Sequence, residues 1–123
     1  MATLLIVEDE TPIRTNLRQL LQLEGHQVIE AASGEAGLAA VGRQRPDLVL
    51  CDILMPGIDG YAVLAALRGN PDTASLPFIF LTASANRNER DQAIARGADE
   101  YLVKPVRIAE VLAAIERVLQ RKK

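Results

Sequence analysis

Five short stretches of this chain, residues 4–7, 28–31, 48–51, 78–81 and 101–103, are dominated by aliphatic and aromatic side chains. Several are apolar at every position and do not alternate. A strand with one wet face alternates. A strand that is apolar throughout is covered on both faces, the condition of a parallel sheet held between two helical layers. That pattern alone removes most of the folds open to a chain of this size.

The intervening segments carry helical spacing. Thr11 and Pro12 read as an N-cap and first turn, followed by a stripe of Ile13, Leu17, Leu20 and Leu21 that Gly25 ends. Ser33 reads as the cap of a second helix running to about residue 43. A third helix spans about residues 60–68, and a fourth about 87–96 with Gly97 as its stop. The last presents Ile108, Val111, Leu112, Ile115, Val118 and Leu119 on one face. Residues 68–77, with Gly, Asn and two Pro, read as a surface loop. Five β–α units joined by right-handed crossovers give an α/β, doubly wound domain of five parallel strands and five helices. One domain over residues 1–123 is expected, since this length supports a core without staples.

Composition narrows the function. The net charge of −2 offers no basic field for nucleic acid or anionic lipid. The basic stretch at 117–123 suits the last turn of a helix. A single cysteine, Cys51, excludes an intramolecular disulfide, which fits a cytoplasmic location. The N-terminal residues run into Glu8-Asp9-Glu10 with no basic n-region, so no signal peptide is expected. No segment approaches the length needed to span a membrane.

In open parallel sheets the site forms at the C-terminal ends of the strands. The residues that converge there are Glu8, Asp9, Asp52, Thr82-Ala83-Ser84 and Lys104-Pro105. Carboxylates placed this close repel one another unless a cation intervenes. Mg2+, a hard ion that takes oxygen ligands, is the natural solution. Asp52 is then a candidate nucleophile that forms an aspartyl phosphate. Lys104 supplies positive charge and Thr82 a hydroxyl donor for the phosphoryl oxygens. Ala83 is small and leaves access. Each residue also has a plainer reading: the acids as a helix entry, Thr82 as an N-cap, Lys104 as a surface lysine. Cys51 reads as buried core, and His26 as a surface residue far from the site.

These residues sit in motifs. The runs Ile6-Val7-Glu8-Asp9-Glu10, Asp52-Ile53-Leu54-Met55-Pro56-Gly57-Ile58-Asp59-Gly60, Leu81-Thr82-Ala83-Ser84 and Gly97-Ala98-Asp99-Glu100-Tyr101-Leu102-Val103-Lys104-Pro105 occur in this order, each at a strand end. In this the chain resembles the receiver domain of bacterial two-component response regulators, over essentially its whole length. The resemblance implies a flavodoxin-like fold with strand order 2-1-3-4-5. It implies that Asp52 takes a phosphoryl group from a histidine kinase or phosphotransfer protein. Glu8, Asp9, Asp52 and the backbone carbonyl of Leu54 would hold Mg2+, and Thr82 and Lys104 would bind the phosphoryl group. Tyr101 would be the switch aromatic, moving with Thr82, and the Lys104–Pro105 bond is often cis in the family. Val106 departs from the pattern, since many relatives carry Phe there. Leu54 and Ser84 stand where the family tunes dephosphorylation. Neither is a base for activating water, so a persistent phosphoryl group is expected.

The expected role is a switch and not an enzyme beyond its own phosphorylation and slow dephosphorylation. Its output would be a protein contact through the fourth helix, fifth strand and last helix, as a monomer or a phosphorylation-promoted dimer. Asp99, Arg107, Glu110 and Arg117 on that face would either pair across a dimer or be solvated. With no output domain after the last helix, the chain is expected to be a single-domain regulator or the excised receiver of a longer protein. Three rivals are weighed. A flavodoxin-like redox protein needs a phosphate-cradling loop where Glu8-Asp9-Glu10 stands. An aspartate-nucleophile phosphatase needs an acid where Leu54 stands. A pseudo-receiver would keep the fold as an interaction module without taking phosphate.

Overall fold

The computed structural model describes residues 1–122. Strands β1 (Thr3–Val7), β2 (Gln27–Ala31), β3 (Leu48–Asp52), β4 (Phe78–Thr82) and β5 (Glu100–Val103) alternate with helices α1 (Thr11–Leu23), α2 (Gly34–Arg43), α3 (Gly60–Arg68), α4 (Arg87–Ala95) and α5 (Ile108–Arg121). All strand pairs are parallel and the order is β2-β1-β3-β4-β5. Lys123, the last of the basic C-terminal residues, lies outside the described residues.

The apolar runs explain the layering. β3 and β4 are buried at every position. Successive side chains alternate between faces, so each strand feeds two cores. Leu5, Val7, Val49, Cys51, Phe78 and Phe80 face α2, α3 and α4 and pack with Val41, Val63, Leu64, Leu67 and Ala93. Leu4, Ile6, Leu48, Leu50, Ile79 and Leu81 face α1 and α5 and pack with Leu17, Leu21, Val111, Ile115 and Val118. Each fully buried side chain of this size contributes about 1.5–3 kcal/mol. The central strand β3, with β1 and β4 on either side of it, is therefore the hardest to displace, and the acids at the ends of β1 and β3 are held accordingly.

Strand bounds differ from expectation by one polar residue each. Asp52 and Thr82 are the last residues of β3 and β4, paired with Leu81 and Val103, rather than the first residues beyond them. The ladder bonds only backbone, so it continues through a residue whose side chain ends the apolar signal. Helix starts differ too. Glu10, not Thr11, is the N-cap of α1, without a side-chain cap. Its carbonyl accepts from Arg14 N–H at 3.0 Å, which starts the helix one residue early. Thr82 does not cap α4; Asn86 does, accepting from the N–H groups of Asn88 and Glu89. Ser33 caps α2 as expected, accepting from Ala36 N–H. His26 is half-buried rather than at the surface, and its Nδ1 accepts from Ala2 N–H.

Gly60 stands where the β3–α3 loop turns back under the site. A Cβ there would meet the Asp52 carbonyl, with Ile53 Cα and Phe80 Cε1 each 2.9 Å away. Backbone and a core ring cannot yield cheaply, so Gly60→Ala is expected to cost about 2–3 kcal/mol. Gly42 lies inside α2 with open space around it. There the same change should stabilise by about 0.5–1 kcal/mol, through the entropy of the unfolded chain. Urea unfolding of both variants checks the pair; equal effects would contradict the assignment.

Candidate functional site

The C-terminal ends of β1, β3 and β5 meet at one point. Glu8 follows β1 and is 2% exposed; Asp52 ends β3 and is 8% exposed; Asp9 is half-buried beside them. One carboxylate oxygen from each of the three lies within 4.8 Å of the others. Lys104, just after β5, reaches into the same space. Its Nζ donates to Glu8 Oε1 at 2.5 Å and stands 3.3 Å from Asp52 Oδ2. The Lys104–Pro105 peptide is cis.

The other oxygen of Asp52, Oδ1, accepts from the Ile53 N–H at 2.8 Å, which fixes the carboxylate rotamer. Glu8 Oε2 accepts from Glu10 N–H at 3.2 Å. Burial pushes the Glu8 pKa up, and the Asp52 charge adds to the rise against the opposing pull of Lys104 and Glu10. Burial also works against the charge of Lys104. The bond to Glu8 and the Asp52 charge outweigh it, so the ammonium is held above its ordinary range. The cluster is thus a set of hard oxygen donors short of positive charge, with one ammonium shared between two of its three acids. That donor set fits a small divalent cation such as Mg2+.

Thr82 and the residues after it flank the acids. Thr82 is buried, and its Oγ1 accepts from Ser84 N–H at 3.2 Å. It shares a cavity of about 490 Å³ with Ile53, Leu54, Ala83, Ser84 and Tyr61. Leu54 projects outward and is 76% exposed. Tyr101 is buried, and its hydroxyl donates to the Ser84 carbonyl at 3.0 Å. The structure therefore brings Glu8, Asp9, Asp52 and Lys104 into one cluster and lines the adjoining cavity with Thr82. Tyr101 joins that wall through Ser84. Cys51 is fully buried, its thiol bonded to the Asp52 carbonyl and pushed well above its ordinary pKa by burial.

The family model of the response regulator receiver domain matches residues 4–116. The chain belongs to that family. The transcriptional regulatory protein AfsQ1 of Streptomyces coelicolor is 44% identical over 98% of this chain and 52% of its own length. The chain spans about half the length of the curated relatives it matches. A receiver domain protein from Clostridium thermocellum superposes with a TM-score of 0.91 at 31% identity, covering 99% of this chain and 97% of its own. The Vibrio cholerae chemotaxis protein CheY4 gives 0.90 at 31% identity, over 96% and 98%. Receiver domains of this family are the signalling modules of two-component systems. Among the described residues, no helix is long and apolar enough to cross a membrane.

Some residues around this receiver's site were not legible as such in the sequence. Arg14 reaches from α1 to the Glu8 carbonyl, and Asp59 caps α3 beneath the β3–α3 loop. An acid two residues before an apolar helical run was the available signal for Asp59; Arg14 offered none. On the face of α4, β5 and α5, Asp99 pairs within the chain with Arg68 and Lys122, and Arg117 with Glu100. Arg107 and Glu110 are exposed.

The electrostatics carry a pH dependence. The folded-state pKa of Glu8 lies above its unfolded value, so its charged form lowers stability at neutral pH, and Lys104 offsets that cost. Lys104→Met is expected to destabilise by about 3 kcal/mol near neutral pH, by leaving two buried carboxylates without their cation. The deficit should shrink as pH falls through the raised Glu8 range, because a protonated carboxyl needs no counter-charge. Urea unfolding from neutral to mildly acidic pH measures this, and a deficit that does not change with pH would contradict it.

Proposed function

We propose that this receiver accepts a phosphoryl group on Asp52 from the phosphohistidine of a histidine kinase or phosphotransfer protein, in the presence of Mg2+, and changes its protein contacts in response. The observation that carries the reading is the meeting of three carboxylates and one ammonium at the C-terminal edge of the sheet. A structural ion pair needs neither the third acid nor an open cavity beside it.

A carboxylate oxygen of Asp52 attacks phosphorus. The bond from phosphorus to the donor imidazole nitrogen breaks, and its electron pair stays on that nitrogen. The rotamer held by Ile53 N–H aims the nucleophile before the donor arrives. Held by Glu8, Asp9, Asp52 and the Leu54 carbonyl, Mg2+ would neutralise charge on the transferring oxygens. Lys104, already within reach of Asp52, pairs with a phosphoryl oxygen. The Thr82 hydroxyl spends its acceptor on Ser84 N–H, so its proton is free to donate toward the phosphate.

Movement of Thr82 toward the phosphate pulls on the segment that Tyr101 grips through the Ser84 carbonyl. That bond links the modified site to β5 and to the face formed by α4, β5 and α5, where Ile94 and Val103 are exposed. Phosphorylation adds charge and acceptor oxygens and biases a two-state equilibrium read on this face. The partner there is a protein, with no direct contact to nucleic acid. The chemistry is limited to self-phosphorylation and slow self-dephosphorylation, in the cytoplasm. Leu54 is apolar and exposed, and neither it nor Ser84 supplies a base for an attacking water.

Acetyl phosphate with Mg2+ should add one phosphoryl group to the intact protein, seen by mass spectrometry, and Asp52→Asn or excess EDTA should abolish the addition. No mass shift would leave the fold as an interaction module that never takes phosphate. Once formed, the adduct should persist for minutes or longer after the donor is removed. Loss within a few seconds would refute the reading of Leu54 and Ser84.

A further inference from the structure

The polar groups of Glu8 are all held. Its N–H donates to the Ala31 carbonyl at 3.0 Å, continuing the β1–β2 ladder. Its two carboxylate oxygens accept from Lys104 and from Glu10 N–H. Its carbonyl accepts from the guanidinium of Arg14 at 2.7 Å. Three of these partners belong to the sheet, the loop or the site itself. The fourth comes from a helix side chain with no part in the proposed chemistry.

Arg14 is held as firmly as what it holds. Its side chain is 14% exposed, and its Nε donates to Glu30 Oε1 on β2 at 3.2 Å. Arg18, one turn further along α1, stands 3.1 Å from the other oxygen of Glu30. A planar guanidinium can serve both Glu30 and the Glu8 carbonyl in one fixed orientation, which a lysine ammonium cannot reproduce. The carbonyl it grips belongs to the Glu8–Asp9 peptide. A peptide unit is planar, so fixing that oxygen fixes the plane that leads into Asp9.

We infer that Arg14, aimed by Glu30, is a positioning residue that sets the Glu8–Asp9 peptide so that both carboxylates face one divalent cation. This rests on the Mg2+ reading of the site given above. Geometry and charge make opposite predictions here. As a bare positive charge beside a cation site, Arg14 would weaken Mg2+ binding, and its removal would tighten it. As a positioning group, its removal weakens binding, because the carboxylates lose their preset convergence.

Isothermal titration of MgCl2 into the full chain separates the two. Arg14→Ala and Arg14→Lys are each expected to bind Mg2+ about tenfold more weakly than the parent, as for other groups that orient metal ligands, and Arg18→Ala within about twofold of it. Arg18→Ala removes a cation from the same Glu30 without touching Glu8. Circular dichroism and urea midpoints report folding in parallel. Arg14→Ala binding as tightly as the parent or more tightly would overturn the inference. So would parent-like affinity in Arg14→Lys, which keeps the charge and decides the matter if the alanine variant does not fold. An Arg18→Ala loss as large as that of Arg14→Ala would also overturn it. If the parent binds Mg2+ and only the Arg14 variants fail to differ, this inference falls alone. If the parent binds none, the reading of the site falls with it.

Discussion

A single ammonium set between two buried carboxylates is the contact on which this molecule turns. Asp52 ends the central strand and Glu8 follows its neighbour β1, and both acids are buried. Uncompensated charges there would cost several kcal/mol each. Lys104 makes the arrangement tolerable without neutralising it, since one ammonium faces two carboxylates and Asp9 adds a third. A fold that merely needed stability would replace the three acids with apolar groups. Three acids at this edge are a donor set that fits a small divalent cation, and receiver domains bind Mg2+ at an acidic pocket.

The parallel sheet makes the convergence possible. Parallel neighbours bring their C-terminal ends to one edge, so acids from β1 and β3, a hydroxyl from β4 and a lysine after β5 meet although they are far apart in sequence. The two cores then differ in what they report. The α1–α5 side is aliphatic. The other side carries an aromatic column: Phe78 lies edge-on to Phe80, Phe80 lies 5.2 Å from Tyr61, and the Arg96 guanidinium stands 4.5 Å over Tyr61. Phe80 also borders Gly60, beneath the Asp52 carbonyl.

Most of the architecture was legible in the sequence, because uninterrupted apolar runs admit few solutions. The five strands, five helices and their layering follow from patterns such as 48–51 and the stripe from Ile108 to Leu119. What the pattern missed is where side chain and backbone disagree. Asp52 and Thr82 end an apolar run but still sit in the ladder. Thr11 looked like a cap, yet the first helical bond goes to the carbonyl of Glu10. Candidate site residues were legible because they stand at strand ends and fit known motifs. Arg14 and Glu30 were not, since an Arg on a helix and a Glu on a strand look solvated until the fold pairs them.

The cluster has an order of assembly in time. Glu8, Asp9 and Asp52 leave the ribosome well before Lys104, which stands 96 positions after Glu8. Until β5 docks at the edge of the sheet, the acids have no lysine among them and no reason to stay buried. A growing or clipped chain lacking that last strand keeps its three acids but not the ammonium that compensates them. Assembly of the acid cluster is thereby tied to completion of the domain, since its only ammonium among the described residues arrives with the last strand.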